Sequence, residues 1–387
     1  MREGWTYKKL GEVCTSITDG SHNPPKGIEH SEYRMISSQN IFDDDLRIDD
    51  ETVRFLTEED HYKEDKRTKL SKDVVLLTIV GTIGRACVLK GIEGFITLQR
   101  SVSALHPSSE IQPRFLMHCL IGNRERLNQE AHGIAQRGIY LRQLSELEIP
   151  IPPLSEQQSI VTELDKINEL ISLKKAQLSD LDSLAQSIFY DMFGDYEDDT
   201  PLAHFINSLS GGKSLAGNAP CINKVLKTGA VTYDCFDGNA VKDLPIDYVP
   251  LPEHLLKDGD LLVSRMNTPE LVGSCAYVWK APANTYLPDR LWRATLKQGN
   301  NPIYLWFSII QLKAKEQIRT LASGTSGSMK NISKPRFLSV KIKNAPLSLQ
   351  QEFAKRIELI EQQKVQISST IKDLETLLAS RMQYWFD

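Results

Sequence analysis

No run of about 18 apolar residues occurs in this chain of 387, so no segment reads as a membrane-spanning helix. Its opening, "MREGWTYKKLGEV", has no apolar core of the signal-peptide kind. The six cysteines (Cys14, Cys87, Cys119, Cys221, Cys235, Cys275) are scattered and form no Cys-x-x-Cys pair. That argues against a zinc site or a disulfide framework, and fits a reducing cytoplasm. An excess of positive charge is also missing, since the net charge is −4. It is unevenly spread, however. Residues 195–345 hold 18 Lys and Arg against 14 Asp and Glu, whereas residues 1–152 hold 20 against 23. Six of those acids lie in one run, "FDDDLRIDDE" (Phe42–Glu51), which reads as a solvated loop that would repel phosphate.

Catalytic signatures are lacking too. "DGSHNPP" (Asp19–Pro25) holds three quarters of the Asn-Pro-Pro-aromatic tetrapeptide that adenine methyltransferases use on a flipped base, but the fourth residue is Lys26. No Phe-x-Gly-x-Gly turn is present to hold S-adenosylmethionine. "VGTIGR" (Val80–Arg85) runs into "ACVL", a strand pattern that offers no helix N-terminus. "SGGKS" (Ser210–Ser214) resembles the end of a P-loop, but Asn207 stands where glycine is required. There is no His-Glu-x-x-His and no Gly-x-Ser-x-Gly. The expectation is a non-catalytic chain with no cofactor or metal of its own.

What is present is a repeat. "PLSEQQ" (Pro153–Gln158) recurs as "PLSLQQ" (Pro346–Gln351), an offset of 193 residues. At the same offset "LDSLAQSIFYDMF" (Leu181–Phe193) faces "LETLLASRMQYWF" (Leu374–Phe386). Several matches at one offset indicate duplication. Each repeated block reads as a long helix, with Ser155/Gln158 and Ser348/Gln351 as capping boxes after proline. The first has apolar a/d positions at Ile160, Leu164, Ile167, Ile171, Leu178, Leu181, Ala185, Ile188 and Met192, broken by Lys174. The second has Phe353, Ile357, Ile360, Ile367, Ile371, Leu374, Leu378 and Trp385, broken by Lys364 and Arg381. Such seams predict a coiled-coil pair, antiparallel if each helix starts at one domain and ends at the other. About 38 residues of helix would make a spacer of roughly 57 Å. Lys174 and Lys364 read either as snorkelling side chains or as register-setting polar layers.

The globular parts correspond more weakly: "DVVLLTIVGTIGRACVL" (73–89) resembles "GDLLVSRMNTPELVGSCAYVW" (259–279), each reading as strand, Gly-bearing turn and strand. The fold class expected is α+β: two tandem globular domains and two long antiparallel helices, related by an internal pseudo-two-fold repeat. The boundaries are 1–152, 153–194, 195–345 and 346–387. With no catalytic motif, what remains is recognition. The candidate DNA contacts in the first half are His22, Lys26, Ser38, Gln39, Asn40, Thr82, Arg85, Gln99, Arg100, Gln136 and Arg137. In the second they are Lys213, Arg265, Asn267, Thr268, Arg290, Arg293, Lys330 and Asn331. Arg suits guanine, Asn and Gln suit adenine, and Lys suits phosphate. Each also fits an ordinary surface residue, and Arg100 and Arg293 fit buried structural pairs.

Together, "WTYKKLGEV", "DGSHNPP", "VGTIGRACVL", "GIYLRQLSELEIPIPPLSEQQ" and the second copy of the long helix make the chain resemble the specificity subunits of type I restriction-modification systems. The resemblance covers essentially the whole chain. It implies two target recognition domains that each read one half of a split double-stranded DNA sequence. It further implies helices that space them and dock two modification subunits. S-adenosylmethionine would sit on those partners, and ATP and Mg on a restriction/translocase subunit. A coiled-coil scaffold with two protein-binding domains and no DNA is the alternative.

Overall fold

The computed structural model describes residues 4–91, 94–132, 137–326 and 329–386. It divides into two compact units, Met1–Ala176 with Ser369–Asp387, and Gln177–Ser368. Each contains one globular domain and one half of each of two long helices, Leu154–Phe193 and Leu347–Phe386.

In the first unit a four-stranded antiparallel sheet is built from β1 (Cys14–Asp19), β2 (Val75–Thr78), β3 (Ala86–Val88) and β4 (Val102–Pro107), in the order β1-β4-β2-β3. In the second, β5 (Ile206–Ser210), β6 (Leu261–Ser264), β7 (Cys275–Tyr277) and β8 (Leu291–Leu296) repeat that order as β5-β8-β6-β7. Continuous apolar runs such as "VLLT" and "LLVS" are buried at every position, which is why strict alternation is absent. A three-stranded mixed sheet accompanies each: Arg34–Ile36 pairs antiparallel with Arg54–Phe55 and parallel with Ile96–Leu98. Lys224–Leu226 does the same with Val241–Asp243 and Thr285–Tyr286. A third pairing closes each domain, Thr6–Lys9 with Glu148–Ile151 and Asp198–Pro201 with Lys341–Lys343. The duplication is therefore a repeat of topology.

The helices run antiparallel within each unit. In the first, Glu163 accepts from Arg381 and from Trp385 Nε1 (3.1 Å), and Lys175 pairs with Glu375 at 2.9 Å. In the second, Phe189 and Phe193 pack on Phe353, with centroids 5.5 and 5.4 Å apart. Ile160, Leu164, Ile167, Ile171 and Leu181 are buried, as are Phe353, Ile357, Ile360, Ile367 and Ile371. Leu178, Ile188, Leu374 and Leu378 are half-buried. In the last turns of the first helix the buried positions are Phe189 and Phe193, each one residue beyond Ile188 and Met192. A straight helix of 3.6 residues per turn drifts against a strict heptad, and the seam moves by one residue here. Lys364 is a polar layer: its Nζ lies 2.8 Å from both Asp182 on the partner helix and Glu361 on its own. Burial opposes its charge, but the hydrogen bonds to Asp182 and Glu361 prevail and raise its pKa.

The expected capping boxes are not formed. Both helices begin one residue before the serine, so Pro153 O and Pro346 O accept the first helical N–H bonds. The neighbouring glutamines carry the joint instead. Gln157 is fully buried and bonds Gln112 N (2.8 Å), Glu110 O (3.0 Å) and Pro152 O (2.9 Å). Gln350 bonds Asn301 N (2.9 Å) and Ala345 O (2.8 Å). Each fastens a domain to the start of its helix.

Candidate nucleic-acid interface

Loops distant in sequence meet at one end of each four-stranded sheet. In the first domain Ser21 N donates to Leu98 O (2.8 Å), Arg100 N to Ser21 O (3.0 Å), and Ile79 N to Ser101 O (2.9 Å). Ser38 N donates to Ser101 Oγ (3.0 Å), and Gly81 N to Arg137 O (3.2 Å). These bonds bring together the loops that carry His22, Lys26, Ser38, Gln39, Thr82, Gln99, Arg100 and Arg137. Gln136 lies outside the described residues.

"DGSHNPP" is held by its glycine. A Cβ on Gly20 would run into the Leu98 carbonyl. Gly212 of "SGGKS" meets the equivalent Leu287 carbonyl in the same way, and its N–H donates to Pro288 O (2.8 Å). The two motif near-misses are thus one loop, occurring once in each domain. Asp19, buried beside Gly20, bonds His22 Nε2 at 2.6 Å and also pairs with Arg67. In "VGTIGR", Gly81 and Gly84 adopt φ of 82° and 88°, in the left-handed region, and a Cβ on Gly84 would strike Arg124.

Side-chain chemistry separates the candidates. His22, Lys26, Gln39, Thr82, Arg100 and Arg137 are exposed. Gln39 Nε2 donates to Thr52 O (2.6 Å), and Arg137 donates to Asn128 O and Ala131 O. Arg85 lies 5.1 Å over the Phe42 ring. Asn40 is buried, and its amide bonds Ser37 N, Arg47 O and Thr52 Oγ1, so it shapes its loop from within and does not face solvent. The acidic run is not a freely solvated loop. Asp43, Asp44, Asp45 and Asp50 pair with Arg124, Arg114, Arg47 and Arg34.

In the second domain Arg265 N donates to Arg290 O (3.1 Å) and Ile332 N to Arg265 O (3.0 Å). Lys213, Thr268 and Arg290 are exposed; Arg265, Asn267, Lys330 and Asn331 are half-buried. Met266–Asn267 pairs with Met329–Asn331, which also pairs with Ser323–Ser326. The first domain has only the bridges Val80–Gly138 and His132–Gly138 there, among the described residues. Among the described residues, Arg265 Nε and Asn331 Oδ1 are buried without a hydrogen-bond partner, so this small sheet carries unmet polar capacity. Thr268 N donates to Asn267 Oδ1 (2.9 Å), a turn bond that orients the asparagine. Arg293 belongs to the framework: it donates to Glu253 O, Leu255 O and Asp260 Oδ2, and its side chain is only 13% exposed. Its sheet register matches Ala104, since Ala104 faces Leu76 in β2 as Arg293 faces Leu262 in β6. Arg100, by contrast, is exposed on its loop.

Sequence reasoning passed over Lys227 and Lys242, which with Ser214, Thr228, Pro288, Asp289 and Arg290 line a cavity of about 470 Å³. No local motif marks them, because strand pairing is what brings Lys242 next to Lys227.

Behind the first domain's loops, Arg114 is held on both sides, by Asp44 (2.7 and 2.9 Å) and by Asp165 of the first long helix (2.6 and 2.7 Å). His118 Nε2 lies 2.8 Å from Asp165. Burial works to raise the Asp165 pKa, but hydrogen bonds from His118 and Arg114 prevail and hold it at about 2.

Residues 2–182 match the family model described as the type I restriction modification DNA specificity domain. The chain is 24% identical over 391 residues to the EcoKI specificity subunit of Escherichia coli K12, spanning 92% of this chain and 82% of that one. It is 25% identical over 328 residues to the putative MjaX specificity subunit of Methanocaldococcus jannaschii, spanning 76% and 74%. In fold it is similar to the type I restriction-modification S subunit from M. genitalium, at TM-score 0.59 and 14% identity, covering 99% of this chain and 96% of that one. A chain from a study of type I R-M complex assembly gives TM-score 0.56 at 15% identity, covering 100% and 98%. Residues 2–182 thus resemble a type I restriction modification DNA specificity domain, and along most of its length the chain is similar to specificity subunits of type I restriction enzymes. Nothing in these likenesses supports a scaffold that leaves DNA alone. No helix among the described residues is long and apolar enough to cross a membrane.

Proposed function

We propose that each globular domain reads one half of a bipartite, asymmetric DNA target through the loops at the end of its four-stranded sheet. The observation that carries this reading is one backbone frame used twice with different side chains. Matched N–H bonds place Ser101 of the first domain where the second has Arg290, and Ile79 where it has Arg265. Equal frames with unequal side chains suit two unlike half-sites. The long helices space the domains and dock two modification subunits. The chain itself is non-catalytic: S-adenosylmethionine belongs on the modification subunits, ATP and Mg on restriction subunits, and the complex works in the cytoplasm.

Domain exchange tests the reading. Replacing residues 1–152 by the matching domain of a relative, then mapping methylated adenine in cells carrying the modification subunits, should change one half of the methylated sequence. A change in both halves would refute independent reading.

A further inference from the structure

The first domain has many arginines, but most are engaged at home. Arg34, Arg47, Arg67, Arg114 and Arg124 all pair with aspartates of their own domain. In the second domain Lys227, Lys242 and Arg290 converge on the 470 Å³ cavity beside the loop of Gly212. None of the three is ion-paired among the described residues. Asp289 of the cavity wall and Asp243, next to Lys242 in sequence, have other partners. Asp289, in the cavity wall, accepts from Ser214 Oγ, and its N–H donates back to that oxygen (3.2 Å). Asp243 is taken by Lys224 and by Cys221 N (2.7 Å). The hydroxyl residues Ser214 and Thr228 also line the wall.

Matched backbone positions show what the first domain has instead. Ser37 precedes the 3-10 turn Ser38–Asn40 as Lys227 precedes Thr228–Ala230. Ser101 takes the place of Arg290. Arg54, paired with Met35, takes the place of Lys242, paired with Val225. Arg54 Nη1, however, donates to Pro25 O (2.9 Å), bracing the "DGSHNPP" loop. Arg100, next to Ser101, likewise takes the place of Asp289, so the matched positions hold two arginines in the first domain and, in the second, three cations beside one carboxylate.

We propose that Lys227, Lys242 and Arg290 form a phosphate site that holds the DNA backbone at the second half-site. The proposal rests on the DNA-reading function above and assigns to this point grip on the backbone, not base recognition. Ammonium groups in a hydroxyl-lined hollow suit a phosphodiester, and such contacts set position without reading sequence.

The test uses the full chain copurified with its modification subunits and a duplex bearing the mapped target. Binding is followed by fluorescence anisotropy from about 50 to about 300 mM salt. The triple variant Lys227→Gln/Lys242→Gln/Arg290→Gln should bind about tenfold more weakly at intermediate salt. Its slope of log affinity against log salt should shrink by about one for each phosphate released. The methylated sequence should stay the same. Lys227→Arg/Lys242→Arg should keep the original slope. With single methylphosphonates scanned along the duplex, the sensitive position should lie in the second half-site and vanish in the triple variant. An unchanged slope in a triple variant whose parent binds normally would overturn the proposal while leaving DNA reading intact. So would a relaxed base preference at unchanged slope. A parent complex with no salt-dependent binding would overturn both.

Discussion

Asp165 is the side chain where framework and recognition loop meet. It lies on the first long helix, yet through Arg114 it steadies Asp44, whose hairpin holds Phe42 beneath Arg85 and Arg47. Its carboxyl, near 2, lies below the ordinary carboxylate value of 3.8, so its charged form is favoured by folding. That stability is fully present above the ordinary value and is lost as pH falls toward 2. Asp165→Asn should therefore lower stability by about 1–3 kcal/mol at neutral pH, because Arg114 loses one of its two carboxylates and His118 loses its charged partner. The gap between wild type and variant should close between about pH 4 and about pH 2. Urea unfolding across that range measures it, and a gap independent of pH would count against the pairing. Asn40 and Arg293 give the complementary lesson. Both residue types suit base reading, but their hydrogen bonds turn them into framework; the strand pattern around Arg293 left that reading open, whereas nothing local marks Asn40.

Among elements, the helices were the most legible, because a heptad pattern is written in consecutive residues. Their starts were less so. A Ser-x-x-Gln pattern is a reasonable cap, but buried Gln157 and Gln350 secure the joint through partners about 45 residues away in sequence. The seam itself yields a direct test. Ile367 is 8% exposed, and Ile367→Asp would bury a carboxylate in that interface, at about 2–5 kcal/mol. Thermal melting should show weakened helix pairing with the sheets still folded, and copurification of modification subunits should fail. Full assembly by the variant would show that this seam does not hold the docking surface together.

For the whole molecule, the duplicated frame implies a ruler. If the helices set the gap between half-sites, one heptad inserted into each, after Lys174 and after Ile367, keeps both seams in phase. Each insertion adds roughly 10 Å, equivalent to about three base pairs. Sequencing of methylated adenine should then show a gap longer by about that amount. A lengthened protein that assembles yet keeps the original gap would remove the helices from that role. The sequence by itself determined the duplication, the two helices and their apolar seams, and the want of catalytic motifs, since each is a pattern of neighbouring residues or a constant offset. Only the tertiary structure decided which loops share a surface and that "DGSHNPP" and "SGGKS" are one loop in two versions. The physical reason is that loop insertions let the offset drift, from 193 in the helices to 192 at Gly20 and Gly212 and 186 at Thr78 and Ser264. Strand pairing restores the equivalence that sequence spacing had lost, and with it shows which arginines are already bound and which cations, among the described residues, have no ion-pair partner.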